Sequence, residues 1–147
     1  MRILSVVIAF LAFSSFTTWE TNFNKAKETA KSEHKYILLN FSGSDWCGPC
    51  IKLHREYFGS EAFTSFAKEN LIMVNADFPR QKKNQLPKNL QQQNDQLADQ
   101  YNSKGDFPLT VLISPDGKVI KQWEGFPKMS LDAFIDDIKG SIPSSQN

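Results

Sequence analysis

With 147 residues and a formal net charge of +1, the chain holds about one domain and gives no electrostatic reason to expect nucleic acid or an anionic membrane as its partner. Its two cysteines are too few for a disulfide-stapled scaffold. Met1-Arg2 and the apolar run from Ile3 to Phe13 form a short positive segment followed by a hydrophobic one. That is the pattern of a secretory leader ending near residue 18, and it is too short for a confident transmembrane span. An uncleaved N-terminal anchor is the alternative, and a lipid anchor is not expected because no cysteine stands near the segment's end. The implied compartment lies outside the cytoplasm, where disulfides persist.

A single domain is expected over residues 19–143. Trp19, Phe23, Ala26 and Ala30 recur at helical spacing and predict a helix over 19–33. Residues 36–41 read as a buried central strand, and Cys47 to Phe58 as a helix. Gly59-Ser60 breaks that helix and caps another through Glu69, and residues 71–76 form a second strand. Residues 78–94 hold Arg80, Lys82, Lys83 and Lys88, with two prolines, several glutamines and no acidic residue. This stretch reads as a polar insertion, either a solvated loop or a basic lip that favours an acidic partner. A short helix follows from Asp95 to Tyr101. Leu109–Ile113 is a strand, Ser114-Pro115-Asp116-Gly117 a turn, and a further strand runs through Trp123. Leu131, Phe134, Ile135 and Ile138 mark a terminal amphipathic helix, with 144–147 a flexible tail.

The chemistry gathers at Cys47-Gly48-Pro49-Cys50. A disulfide across two residues constrains little unfolded chain and adds little stability, so its value is redox chemistry. A strand delivering Cys47 to the first turn of a helix sets the sulfur among unpaired backbone N–H groups that stabilise a thiolate. Cys47 is the expected nucleophile and Cys50 the resolving thiol. A structural zinc would need two more ligands, and only His54 stands nearby. A c-type haem would need histidine where Ile51 stands. No metal or cofactor is therefore expected. His34 and His54 read as surface or packed residues, and the sequon Asn40-Phe41-Ser42 is discounted because it falls in a buried strand.

Trp46-Cys47-Gly48-Pro49-Cys50, together with Phe107-Pro108 before the strand, hairpin and Gly125, resembles the thioredoxin superfamily. The resemblance covers roughly residues 35–140. It implies an α/β thioredoxin-like fold, a central mixed β-sheet flanked by helices on both faces. It also implies a cis-proline at Pro108, with the Phe107 backbone free to pair with an extended substrate, and Trp46 shielding the disulfide. Phe107 is bulkier than its thioredoxin counterpart and would narrow substrate choice. Gly48 and Pro49 between the cysteines point to a reducing potential. One departure stands out: Asn40 falls where thioredoxin carries a buried aspartate that moves a proton for the second cysteine. Asp45 or a water then takes the role, or resolution is slower.

The expected function is an exported thiol–disulfide oxidoreductase that reduces protein disulfides. It would work as a monomer, in a bacterial periplasm by preference, with electrons from a separate upstream thiol reductant. The alternatives are an oxidase or isomerase of the same fold, and a binding adaptor that uses residues 80–88.

Overall fold

The computed structural model describes residues 18–143. The expected leader lies, apart from Thr18, outside the described residues, as does the tail. No helix among the described residues is long and apolar enough to cross a membrane.

Helix α1 (Phe23–Glu33) is followed by strand β1 (Tyr36–Ser42) and helix α2 (Gly48–Leu53), which widens into a π turn at His54–Phe58. Helix α3 (Glu61–Asn70) leads to β2 (Leu71–Asp77), and α4 (Lys88–Tyr101) to the hairpin of β3 (Leu109–Ile113) and β4 (Val119–Glu124). Helix α5 (Leu131–Ser141) closes the domain. The strands form one sheet in the order β2-β1-β3-β4. The β1–β2 pair is parallel and the other two are antiparallel, so the sheet is mixed.

Side-chain alternation along the strands builds a core on each face. Ile37, Leu39 and Phe41 of β1 join Val74, Ala76, Leu109, Val111 and Ile113 under α1 and α4. On the other face Leu38, Met73, Leu112 and Trp123 pack under α2, α3 and α5, where Phe58, Phe63 and Phe134 make an aromatic cluster.

Two helix starts differ from the sequence expectation. Helix α1 begins at Phe23, not residue 19, because the Asn22 side chain accepts the Lys25 N–H and caps it. Upstream, the Glu20 N–H donates to the Met73 carbonyl at 2.7 Å and bridges onto β2. Helix α4 begins at Lys88, seven residues before the expected Asp95. Pro87 sits at its N-cap, where a missing N–H costs nothing. The second half of the stretch read as a polar loop is therefore helix, packed through Asn94 and Leu97. The loop proper spans residues 78–87 and holds one short 3-10 turn, Lys82–Asn84.

Candidate active site

Strand β1 ends at Ser42, and the chain then turns tightly through 43–46. The Trp46 and Cys47 N–H groups both donate to the Gly43 carbonyl, at 3.2 and 2.8 Å. Gly43 has to be glycine: a Cβ there would lie 2.3 Å from Cε2 of Trp46. The turn delivers Cys47 as the N-cap of α2, in extended conformation, with its Sγ accepting the Cys50 N–H at 3.3 Å. Pro49 stands in the first turn, where its fixed φ suits a helix and no N–H is required. Cys47 and Cys50 are bonded to each other. Both are buried in this oxidised state, Cys47 at 5% exposure and Cys50 at 1%.

The Phe107–Pro108 peptide is cis. Pro108 precedes β3, and its carbonyl accepts the Gly125 N–H at 2.8 Å, with Gly125 at φ 72°. That positive φ disfavours any side chain at this position. Phe107 packs edge-on against Trp46, ring centroids 5.3 Å apart, and Phe78 packs edge-on against Phe107 at 5.6 Å. Trp46 Nε1 donates to the Phe78 carbonyl at 2.7 Å. The structure therefore gathers Trp46, Cys47, Gly48, Pro49, Cys50, Phe107 and Pro108 in one region at the end of the sheet.

Asn40 is 2% exposed and lies on the α2 face of β1. It pairs in register with Asn75 on β2 and Thr110 on β3. Its Nδ2 donates to Asn75 Oδ1 at 3.1 Å, and its Oδ1 accepts the Thr110 hydroxyl at 3.3 Å. The result is a polar row across three strands beneath α2. Asn75 and Thr110 were missed at the sequence level, and their only signal is a polar residue at the α2-facing position of an otherwise apolar strand. Asn75, at one end of this row, lines a cleft of about 370 Å³ together with Cys50, Ser42, His54 and Arg55.

His54 is not an isolated surface residue. Its ring stacks on Trp19 at 5.1 Å and meets Phe58 edge-on; the residue stays exposed at one side, and the partial desolvation by these neighbours pushes its imidazole below the ordinary range. Asp45, one of the stand-ins considered for the missing aspartate, points elsewhere. Its Oδ1 accepts the Arg80 N–H, and its Oδ2 accepts the Gln81 N–H and Asn84 Nδ2, each at 2.9 Å. These donors, the Arg80 amide first, hold its carboxyl below the usual carboxylate range. Its role is to tie the 78–87 loop to the active-site turn. Among the described residues, no group of three or more His, Cys, Asp or Glu side chains is placed to hold a metal.

The thioredoxin-like domain family matches residues 23–139. Over 124 residues, 84% of this chain and 72% of the relative, the sequence is 38% identical to the disulfide bond reductase DsbH of Chlamydia pneumoniae. The solved structure of a DsbH oxidoreductase superposes with a TM-score of 0.77 at 34% identity, covering 96% of this chain and 93% of that one. A thioredoxin from Thermus thermophilus shares the fold at a TM-score of 0.65 and 13% identity, over 86% of this chain and 87% of that one. With a C-x-x-C disulfide at the head of a helix, the chain belongs to the thioredoxin-like family as a thiol–disulfide oxidoreductase.

Proposed function

We propose that this protein is an exported reductase of protein disulfides, with residues 1–18 as its leader and the working domain starting near Trp19. The observation that carries the proposal is Cys47 at the N-cap of α2, its sulfur facing the Cys50 N–H. A backbone donor aimed at a sulfur stabilises the thiolate over the thiol. In the reduced protein the Cys47 thiolate attacks one sulfur of a client disulfide. The client's other sulfur leaves as a thiolate and takes a proton. Cys50, deprotonated, then attacks Cys47 Sγ, expels the second client thiol, and closes the Cys47–Cys50 bond. Two electrons and two protons have passed to the client. A separate thiol reductant returns them by the reverse exchange, so no bound cofactor takes part.

In this reading Trp46 and Phe107 wall the site, Gly48 and Pro49 set the potential, and the backbone beside Pro108 receives the client's extended segment. Reduction is favoured over oxidation by Gly48-Pro49 and by the likeness to a disulfide bond reductase. The deciding measurement is the Cys47–Cys50 reduction potential, taken by equilibration against glutathione or dithiothreitol. A value near or below about −250 mV supports the reductase, since thioredoxin lies at about −270 mV. A value of about −120 to −180 mV, in the range of DsbA and protein disulfide isomerase, makes it an oxidase or isomerase. In parallel, Cys47→Ser is expected to abolish turnover and Cys50→Ser to accumulate mixed disulfides with clients. Wild-type turnover by Cys47→Ser would overturn the mechanism.

A further inference from the structure

Loop 78–87 does more than connect β2 to α4. Asp45 fastens it through three hydrogen bonds, two of them to backbone amides, and Trp46 fastens it through the Phe78 carbonyl. The fastening sets the Arg80 guanidinium 3.7 Å above the Trp46 ring. A guanidinium held over an aromatic ring keeps N–H donors that can still meet a carboxylate in a forked geometry. Among the described residues no carboxylate pairs with that guanidinium, nor with Lys82, Lys83 or Lys88, all four of which are exposed. Of the acidic residues that flank the groove, Asp45 holds the loop and Asp77 accepts the Ser44 N–H and hydroxyl, while Asp106 forms no ion pair with Arg80. Trp46, Phe78, Arg80, Gly105 and Phe107 line one open groove, and Trp46 is the immediate neighbour of Cys47. The groove therefore joins an aromatic floor to the unpaired charge of Arg80, at the rim formed by the residue that precedes Cys47.

We propose that this rim selects clients. Arg80, with Lys82 and Lys83 following it on the same loop, receives an Asp or Glu carboxylate of the client chain close in sequence to the cysteine under attack. Disulfides flanked by acidic residues are then reduced in preference to those flanked by neutral or basic ones. The proposal rests on the disulfide-reductase reading and names the substrate class of that same site.

The test uses three synthetic peptides with the same disulfide, differing only in a Glu-Glu, Gln-Gln or Lys-Lys pair beside one cysteine. Their kcat/KM values are compared at low and high salt. The expected order is Glu above Gln above Lys, with the Glu peptide ahead of the Gln peptide about fivefold at low salt, as suits a partly exposed ion pair. The lead shrinks at high salt as screening sets in. Arg80→Gln brings the ratio towards one. Arg80→Glu inverts the order, which a misfolded variant cannot do. Equal reduction of all three peptides by the native protein overturns the rim while leaving the reductase intact, as does an unchanged preference in Arg80→Glu. Reduction of none of them, with a potential in the oxidase range, overturns the reductase reading itself.

Discussion

Asn40 shows how much one buried amide settles. Both ends of its side chain are satisfied, by Asn75 and by Thr110, so it sits at the sheet centre without the penalty of an orphaned polar group. Asn40→Leu keeps the branched heavy-atom shape, though with bulkier methyl groups, and strips Asn75 and the 1% exposed Thr110 of their partner. A loss of about 1–3 kcal/mol in denaturant unfolding is expected, the usual effect of orphaning a buried polar group. His54 makes a prediction of a different kind. Its folded-state imidazole titrates below the ordinary value of 6.5 because partial desolvation disfavours the cation. In the window between the two values the unfolded chain binds more protons, so stability rises with pH there. It is fully present above about pH 6.5 and declines as the pH falls through that window. Thermal midpoints between pH 5 and 7.5 are expected to slope upward in the native protein and to flatten in His54→Phe. An equal slope in both would reject His54 as the source. At this scale the sequence was readable wherever chemistry is written in consecutive residues, as in Trp46 through Cys50. Asn75, Thr110 and Arg80 act through neighbours 30 or more positions away in the chain, and no local spacing announces them.

At the scale of elements, the legible parts were those whose signals are local. Ser60 caps α3 by accepting the Phe63 N–H at 3.2 Å, and the Gly59-Ser60 break marks that start in the sequence. Ser60→Ala is expected to lose about 1 kcal/mol in chemical denaturation. The misplaced starts of α1 and α4 have tertiary causes. Trp19 fits the helical period of α1, yet it is drawn onto His54 and Phe58, while Glu20 joins β2. Residues 88–94 are polar almost throughout and look like loop, but Asn94 Nδ2 donates to the Asp77 carbonyl at 3.0 Å and Gln93 accepts the Phe23 N–H at the same distance. These contacts give a polar helix its anchorage without apolar periodicity. The π turn at His54–Phe58, closed by the Gly59 N–H on the His54 carbonyl at 2.8 Å, was equally invisible. It inserts its wider turn where Tyr57 and Phe58 both become buried.

Over the whole molecule the fold class was the most legible feature, because Trp46 through Cys50 together with Phe107-Pro108 resemble the thioredoxin superfamily, and that resemblance implies the mixed sheet the structure shows. The two cores meet different demands. The α1/α4 side is aliphatic and broad, whereas the α3/α5 side centres on Phe134, fully buried and in ring contact with Tyr57, Phe58, Phe63 and Trp123. Phe134→Ala is expected to remove about 3–5 kcal/mol, a large share of the roughly 5–15 kcal/mol typical of a domain. The guanidinium midpoint should fall accordingly.

The row formed by Asn40, Asn75 and Thr110 also acts as a registration mark for the sheet. Apolar side chains tolerate many neighbours, so strands made only of Leu, Ile and Val carry a weak memory of which residue faces which. A one-residue slip of β1 would swing the Asn40 amide to the opposite face of the sheet, among Val74 and Val111 of the neighbouring strands, with nothing there to bond. The same slip would leave Asn75 and Thr110 facing each other across a gap. Only one alignment of these three adjoining strands closes both hydrogen bonds, and that alignment lays the polar row beneath α2.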